Sequence, residues 1–262
     1  MLSMIFLERY YIFNTWFQIG NHLPNLIHVL QYGRTFEPMR PERDVEDIRS
    51  RLKQMSDAAA STSDPLSWFE ELYSSAQGDD NWIPWSDGSP SPFVVDWAIG
   101  KPPGRALVVG CGLGEDAVFL DKIGWEVVAF DLSPTAVEWA KKRHEKTDIN
   151  WVVADLLNPP DEWVSEFELV LEVHILQAIP ENIRHDAASK LPLFVAKGGH
   201  LVCIGRFDED GDSHEGPPWP LKQEFIESIG KPLGQMSMVK ATLSDDDPST
   251  TRYRAIWLRT DH

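Results

Sequence analysis

RALVVGCGLGED, residues 105–116, is the stretch that decides the fold. A short apolar run precedes three glycines, Gly110, Gly112 and Gly114, and residues typical of a helix start follow them. Glycine tolerates positive φ and lets the backbone approach a ligand closely. A glycine loop between a strand and a helix therefore indicates a binding site, with a plain strand-to-helix turn as the alternative.

From residue 105 onward, short apolar runs alternate with helical patterns. The pattern predicts strands at 105–110, 125–130, 150–154, 167–172 and 200–205, and helices at 115–123, 134–145, 180–196 and 221–229. Alternation at this spacing is typical of βαβ units. Two further apolar runs, 236–243 and 251–260, have no helix between them and predict an antiparallel hairpin. We expect an α/β fold: a Rossmann-like, doubly wound, mostly parallel seven-stranded sheet with a C-terminal antiparallel hairpin.

The beginning of the chain has a different character. Residues 1–30 are apolar and aromatic, but polar residues interrupt the run and no cleavage site follows. Neither a signal peptide nor a membrane-spanning helix is predicted there. The stretch 40–54 is predicted to be helical, and residues 75–92 a loop. We expect a helical N-terminal extension and cap over 1–75, and a second domain over 76–262.

Acidic residues dominate the charge: 41 Asp and Glu against 24 Lys and Arg give a formal net charge of −17. Such a surface repels phosphate backbones and acidic lipid head groups, so we expect neither nucleic acid nor a membrane as partner. The only cysteines, Cys111 and Cys203, cannot form a disulfide framework or a zinc cluster. We expect reduced thiols, a cytoplasmic location, no metal, and a monomer or homodimer.

The glycine spacing argues against phosphate-bearing ligands. A dinucleotide fold requires G-x-G-x-x-G, whereas this chain has G-x-G-x-G followed by Glu115 and Asp116. An acidic pair suits a helix N-terminus by itself and would oppose a pyrophosphate placed there. The G-K-[ST] sequence of a P-loop is absent. The loop therefore disfavours NAD and nucleoside triphosphates.

Acidic residues at the ends of the next two strands favour an adenosine without phosphates. Asp131 follows Gly110 by 21 residues, which places its carboxylate to accept both ribose hydroxyls. Asp155 closes the third predicted strand and can accept from an adenine amino group, with Leu156 beside the ring. A helix N-cap or loop aspartate is the alternative for Asp155.

The ordered motifs GCGLGED, VVAFDLSP, ADLL and FELVLEVHILQAIP resemble those of class I S-adenosylmethionine-dependent methyltransferases. The resemblance implies S-adenosylmethionine as cofactor. The residues that it implies as cofactor-binding are Gly110, Cys111, Gly112, Gly114, Asp131, Leu132, Asp155 and Leu156. Many such families have an acidic residue where this chain has Val108. The cofactor's amino group would then need another acceptor, such as the backbone around Gly110 or Glu172.

A narrower resemblance is to the thiopurine S-methyltransferase group, which includes plant-type thiol and halide methyltransferases. It rests on the GCGxGxD form and on two segments, NWIPWSDGSPSPFVVDW (81–97) and EGPPWPL (215–221). The first segment matches the group's pattern at Pro84, Trp85, Gly88 and Pro92. The group's aspartate falls on Ser86 here.

These segments imply contacts with both ligands. Aromatic faces attract cations, so Trp85, with Trp82 beside it, is a candidate lid over the sulfonium end of the cofactor, and Trp82 a candidate acceptor contact. The resemblance places Pro218 and Trp219 near the acceptor pocket. The alternative is that these tryptophans anchor the core, since the chain has 11 of them.

The segment LEVHILQAIP (171–180) lies at the reactive end of the cofactor by topology. Glu172 and His174 are its polar residues and our candidate catalytic groups. His174 is a candidate base or acceptor-orienting group in contact with the substrate. A structural histidine is the alternative.

We therefore expect a small-molecule methyltransferase that uses S-adenosylmethionine, with a thiol or other soft nucleophile as the favoured acceptor. We expect no covalent intermediate and no metal. Two alternatives stay open at this point: a non-catalytic, cofactor-binding partner subunit, and a nicotinamide-dependent oxidoreductase.

Overall fold

Seven strands form one sheet in the order β3-β2-β1-β4-β5-β7-β6. The first five are mutually parallel, and β7 lies antiparallel between β5 and β6. The strands are Arg105–Val109 (β1), Glu126–Asp131 (β2), Asn150–Val153 (β3), Phe167–Val173 (β4), Val195–Arg206 (β5), Met236–Ala241 (β6) and Arg252–Leu258 (β7). The predicted mostly parallel seven-stranded sheet and its C-terminal hairpin are confirmed.

This computed structural model describes residues 45–211, 216–243 and 246–260. The predictions for residues 1–44, including the apolar aromatic segment 1–30, lie outside the described residues. None of the described helices is long and apolar enough to cross a membrane.

The described part of the chain contains seven α-helices. They are Val45–Ala60 (α1), Trp68–Ala76 (α2), Pro92–Ala98 (α3), Glu115–Lys122 (α4), Pro134–Arg143 (α5), Glu181–Phe194 (α6) and Gln223–Ile229 (α7). The predicted helices correspond to α1 and to α4 through α7. The sequence did not predict α2 and α3, which flank a segment rich in Gly, Pro and Ser. The expected domain boundary at residue 75 falls within α2 and stays a prediction.

One strand is longer than predicted. β5 begins at Val195 rather than near residue 200, because Val195 already pairs with Phe167 of β4, and the register then shifts across a bulge that contains Gly198 at φ +75°. Gly199 is packed too tightly for a side chain, since a Cβ there would lie 2.9 Å from the carbonyl oxygens of Ala196 and Phe167. The close backbone approach explains the glycine.

Apolar layers cover both faces of the sheet. On one face, α6 and α7 bury Leu191 and Ile226 against the strands. On the other, α3 and α4 bury Trp97 and Leu120. A third cluster joins α1 and α2 to Leu113 of the glycine loop. The N-terminal helices thus pack directly against the predicted ligand loop.

The strand order reverses at β1, whose neighbours are β2 and β4. The loops after these strands leave the same edge of the sheet, where ligands bind in open α/β folds. The predicted site residues from the glycine loop to His174 follow these strands and β3.

Candidate active site

The glycine loop is held in one conformation. Gly110 and Gly114 have φ of +59° and +92°, in the left-handed region that favours glycine. A Cβ at Gly110 would lie 2.2 Å from Cδ1 of Ile175, and one at Gly114 would lie 2.4 Å from Cη2 of Trp151. The backbone N–H of Cys111 donates to the Phe130 carbonyl at 2.8 Å, which ties the loop to the end of β2.

Asp131 joins the loops after β1 and β2. Its buried carboxylate accepts from the backbone N–H of Gly112 through Oδ2 and of Ser133 through Oδ1, both at 2.9 Å. Burial raises the pKa of Asp131, although these N–H groups act in the opposite direction. Each oxygen accepts one of these bonds and has capacity for another, so the group fits a ligand with two adjacent hydroxyls. Leu132 follows it, half-buried against the core.

Helix α2 supports this arrangement through Glu70, which the sequence did not single out. The Glu70 carboxylate accepts from the hydroxyls of Ser133 and Thr135, both at 2.5 Å, and from the Thr135 backbone N–H at 3.2 Å. Burial opposes the charge, but these hydrogen bonds hold the pKa of Glu70 below its usual value. Glu70 and Asp131 therefore both bind Ser133.

Asp155 organises its own loop. Its Oδ1 accepts from the Leu157 backbone N–H at 2.8 Å, and Oδ2 accepts from Nδ2 of Asn158 at 2.9 Å. Leu156 is buried in the core beneath. The loop-forming role that the sequence offered as an alternative is thus present, and the adenine contact of Asp155 and Leu156 stays a prediction.

Trp85 lies against the glycine loop. Its Nε1 donates to the Tyr73 hydroxyl at 2.7 Å, and its ring packs 6.2 Å from those of Trp68, Phe69 and Tyr73. A Cβ on Gly112 would lie 3.0 Å from the Tyr73 hydroxyl and 3.6 Å from Trp85 Nε1. The aromatic pair therefore covers the glycine loop, with Tyr73 as a member that sequence reasoning missed.

Trp82 lies elsewhere. It ends a short 3-10 helix, Asp80–Trp82, and the Arg51 guanidinium covers its ring at 4.7 Å from the centroid. No contact among the described residues joins Trp82 to His174. Its predicted contact with the acceptor stays a prediction.

The acidic pair at the start of α4 binds the Trp85 loop. Glu115 accepts from the buried Ser86 hydroxyl at 2.6 Å, and Asp116 accepts from the Ser91 backbone N–H at 2.7 Å. Burial raises the pKa of Asp116 to about 7. The pair thus does more than complement the helix dipole, because it fixes the loop that carries Trp85.

Glu172 is buried at the end of β4, 1% exposed. Its Oε1 accepts from the backbone N–H groups of Ile175 and Leu176 at 2.7 and 3.1 Å. Its Oε2 has no hydrogen-bond partner among the described residues, although the Cys203 thiol faces the carboxyl group. Burial raises the pKa of Glu172 to about 7. The contacts shown fix the turn that leads into His174.

His174 has a φ of +66°, unusual for a residue other than glycine, and half-buried Arg252 holds its ring. Nη1 of Arg252 lies 2.9 Å from Nε2 of His174. A guanidinium only donates, so Nε2 is the acceptor and the ring proton is on Nδ1. Burial, followed by the charges of Arg252 and Arg206, lowers the pKa of His174 to about 3. The ring is therefore neutral near pH 7.

The segment 216–221 contacts the turn after β4. The Trp219 backbone N–H donates to the Gln177 carbonyl at 2.7 Å, next to half-buried Pro218. The Arg184 guanidinium lies 5.6 Å from the centroid of the Trp219 ring. Trp219 and Pro218 are thus held against the turn that follows His174 at this edge of the sheet.

The predicted residues consequently form two groups at the carboxyl ends of the strands. One comprises the glycine loop, Asp131 and Trp85; the other comprises His174, Trp219 and their partners. Within the residues described, no group of three or more His, Cys, Asp or Glu side chains could hold a metal ion.

Comparison with known proteins gives consistent matches. The family model described as thiopurine S-methyltransferase matches residues 79–258. Probable thiol methyltransferase 2 of Arabidopsis thaliana is 30% identical over 155 residues, 58% of this chain and 68% of the relative. Thiocyanate methyltransferase 1 of Brassica oleracea is 28% identical over 177 residues, 65% of this chain and 74% of the relative.

A solved structure shares the fold. The N-methyltransferase NodS from Bradyrhizobium japonicum, in complex with S-adenosylhomocysteine, has a TM-score of 0.54 and 15% identity. The match covers 79% of this chain and 98% of that one. The comparisons give no support to a nicotinamide-dependent oxidoreductase or to a non-catalytic subunit.

Proposed function

Because the chain belongs to the thiopurine S-methyltransferase family, we propose that its methyl acceptor is a thiol or another soft nucleophile. The protein is an S-adenosylmethionine-dependent methyltransferase of small molecules. The names of the two relatives reported above refer to thiol and thiocyanate acceptors, and these names support a soft acceptor here.

The main support for this proposal is the hydrogen bonding and the protonation state of His174. Its Nε2 already accepts from Arg252, and its pKa is lowered to about 3 by burial and by the neighbouring arginines. His174 is therefore a poor general base near pH 7. An acceptor that ionises readily, such as a thiol with a pKa of about 8.5, needs little help from a base. An alcohol or phenol would need more help from a base.

The chain's own residues hold donor and acceptor in line and exclude water. S-adenosylmethionine supplies an electrophilic methyl group on a sulfonium centre. Asp131 would accept the ribose hydroxyls, while Asp155 and Leu156 would hold the adenine. Trp85, buttressed by Tyr73, would face the sulfonium end. The glycine loop, with Gly110, Cys111, Gly112 and Gly114, supplies the close backbone approach, and Leu132 lines the same edge.

His174 orients the acceptor rather than deprotonating it. Its position is fixed from two sides, by Arg252 on Nε2 and by the turn that Glu172 caps. Trp219 and Pro218 would pack against the body of the acceptor. Glu172 acts as a positioning residue through the turn 175–178, since its hydrogen-bonded oxygen is already engaged by backbone N–H groups.

A turnover assay tests the proposal. The protein is incubated with S-adenosylmethionine and a set of matched thiols, alcohols and amines, and S-adenosylhomocysteine is measured. We expect turnover with thiols and none above background with the alcohols. Turnover confined to amines or alcohols would overturn the proposed acceptor class and leave the cofactor assignment intact.

We also propose a cytoplasmic location and a monomeric or homodimeric state. The two cysteines support the location, because Cys111 and Cys203 are both unpaired thiols. Sedimentation of the full chain measures the oligomeric state directly.

A further inference from the structure

Two arginines face each other at the edge of the sheet that carries His174. Arg206 ends β5 and Arg252 begins β7, and the two residues are paired in the antiparallel register. Directly opposite residues in such a pair project their side chains from the same face of the sheet. Like charges in this arrangement destabilise a sheet, so a negative charge close to the two arginines would stabilise it.

Only one of the two arginines forms an ion pair with a described residue. Asp246 accepts from Nε of Arg252 at 2.6 Å and from Nη2 at 2.5 Å. Arg206 contributes its backbone N–H to Oε1 of Gln177 at 2.7 Å. Its guanidinium forms no ion pair or hydrogen bond with a side chain in the described part of the chain. One positive charge at this edge is therefore left over.

The excess of acidic residues in the chain makes an arginine without an ion pair unexpected. With 41 acidic and 24 basic residues, carboxylates are available to pair with most arginines. Arg206 is half-buried, and burial followed by the charge of Arg252 lowers its pKa. Placing a charged guanidinium here therefore lowers the stability of the fold, whereas an arginine on the surface would not lower it. Arg49 of α1 adds to the positive potential at Arg206, and Asp246 opposes it.

The arginine pair lies at the acceptor end of the proposed site. Arg252 contacts the His174 ring, and Arg206 contributes to the lowered pKa of that ring. The Arg206 backbone also contacts Gln177, whose carbonyl accepts from Trp219. The backbone of Arg206 is thus linked through Gln177 to Trp219, and its charge acts on His174, the two groups proposed to contact the acceptor.

We propose that Arg206 binds a negatively charged group of the methyl acceptor that is separate from the nucleophilic atom, such as a carboxylate. This inference rests on the proposed function and specifies its substrate class. An anion at Arg206 would relieve the repulsion between the arginines and bring the acceptor next to His174. Arg252, engaged by Asp246 and His174, would fix the orientation of the ring rather than bind the anion.

Three thiols of similar size and different charge test the proposal: 3-mercaptopropionate, 2-mercaptoethanol and cysteamine. For Arg206→Met we expect kcat/KM with the anionic thiol to fall about tenfold or more, while the neutral thiol changes less than about twofold. Arg206→Lys retains the charge and should keep part of the preference. Arg105→Met, at the opposite edge of the sheet, is the matched control. An equal loss with all three thiols would overturn the inference.

A binding measurement separates this inference from the proposed function. In thermal unfolding with saturating S-adenosylhomocysteine, 3-mercaptopropionate should stabilise the wild-type protein and not Arg206→Met, whether or not it is methylated. Equal stabilisation of the two proteins, or none of either, would overturn the anion site. Thiol turnover without any charge preference would also overturn it and leave the proposed function standing.

Discussion

The hydroxyl of Ser133 donates to the Glu70 carboxylate at 2.5 Å, across 63 positions of sequence. The backbone N–H of the same serine donates to Asp131 at 2.9 Å. Helix α2 is thereby connected to the carboxylate proposed to bind the ribose. Helix α2 thus supports the loop proposed to bind the cofactor.

Substituting Glu70 should weaken cofactor binding without removing a ligand contact. Glu70→Gln removes the negative charge and replaces one acceptor oxygen by an NH₂ group, which faces the N–H and O–H donors of Ser133 and Thr135. We expect the Kd for S-adenosylhomocysteine to rise about five- to tenfold, the effect of about 1 kcal/mol of lost hydrogen bonding. Calorimetric titration measures it. Glu71→Gln, exposed on the same helix, is the control, and equal affinities of the two variants would contradict the coupling.

Removal of the Asp131 carboxylate should cost more. Asp131→Ala deletes the acceptor for the Gly112 and Ser133 N–H groups as well as the proposed ribose contact. We expect binding of S-adenosylhomocysteine to weaken by about 1–3 kcal/mol, the cost of stranding polar partners. The same titration measures it, and an unchanged Kd would show that the ribose assignment is wrong.

The pH dependence of turnover should follow the acceptor and not His174. The pKa of His174 is lowered to about 3, so the ring keeps one protonation state from pH 5.5 to 8.5. The rate should rise with pH as the thiol ionises and level off above its pKa. With two thiols of different pKa, the inflection of kcat/KM should move by their difference. A fixed inflection near pH 6.5 for both would indicate that His174 titrates.

Glu172 should make the fold less stable as pH rises. Its pKa is raised from 4.5 to about 7, so between these values the folded state holds a proton that the unfolded state has lost. The facing Cys203 and Tyr253 also have raised pKa values and stay neutral. From pH 5 to pH 8, Glu172→Gln should gain about 1–3 kcal/mol of unfolding free energy relative to wild type. Urea unfolding at both pH values measures this, and parallel changes in the two proteins would refute it.

Local patterns in the sequence were enough for the sheet, the hairpin, the glycine loop and the position of Asp131. Each depends on neighbours within one βαβ unit, where periodicity and turn residues carry the information. The supporting contacts have no such signature. His174 and Arg252 are 78 residues apart, and Ser86 and Glu115 are 29 apart, so only the fold reveals them. Even the acidic pair after the glycine loop, assigned to the helix dipole, has its hydrogen-bond partners in another segment.

The central claim is that the acceptor is a soft nucleophile that needs no base from the protein. Its most direct test is kcat/KM for thiophenol and for phenol, measured side by side with S-adenosylmethionine and read as S-adenosylhomocysteine. The two acceptors have the same shape and differ in the attacking atom. We predict turnover of thiophenol and a rate for phenol lower by roughly a hundredfold or more, the usual contribution of a missing general base. A rate with phenol equal to or above that with thiophenol would contradict the account.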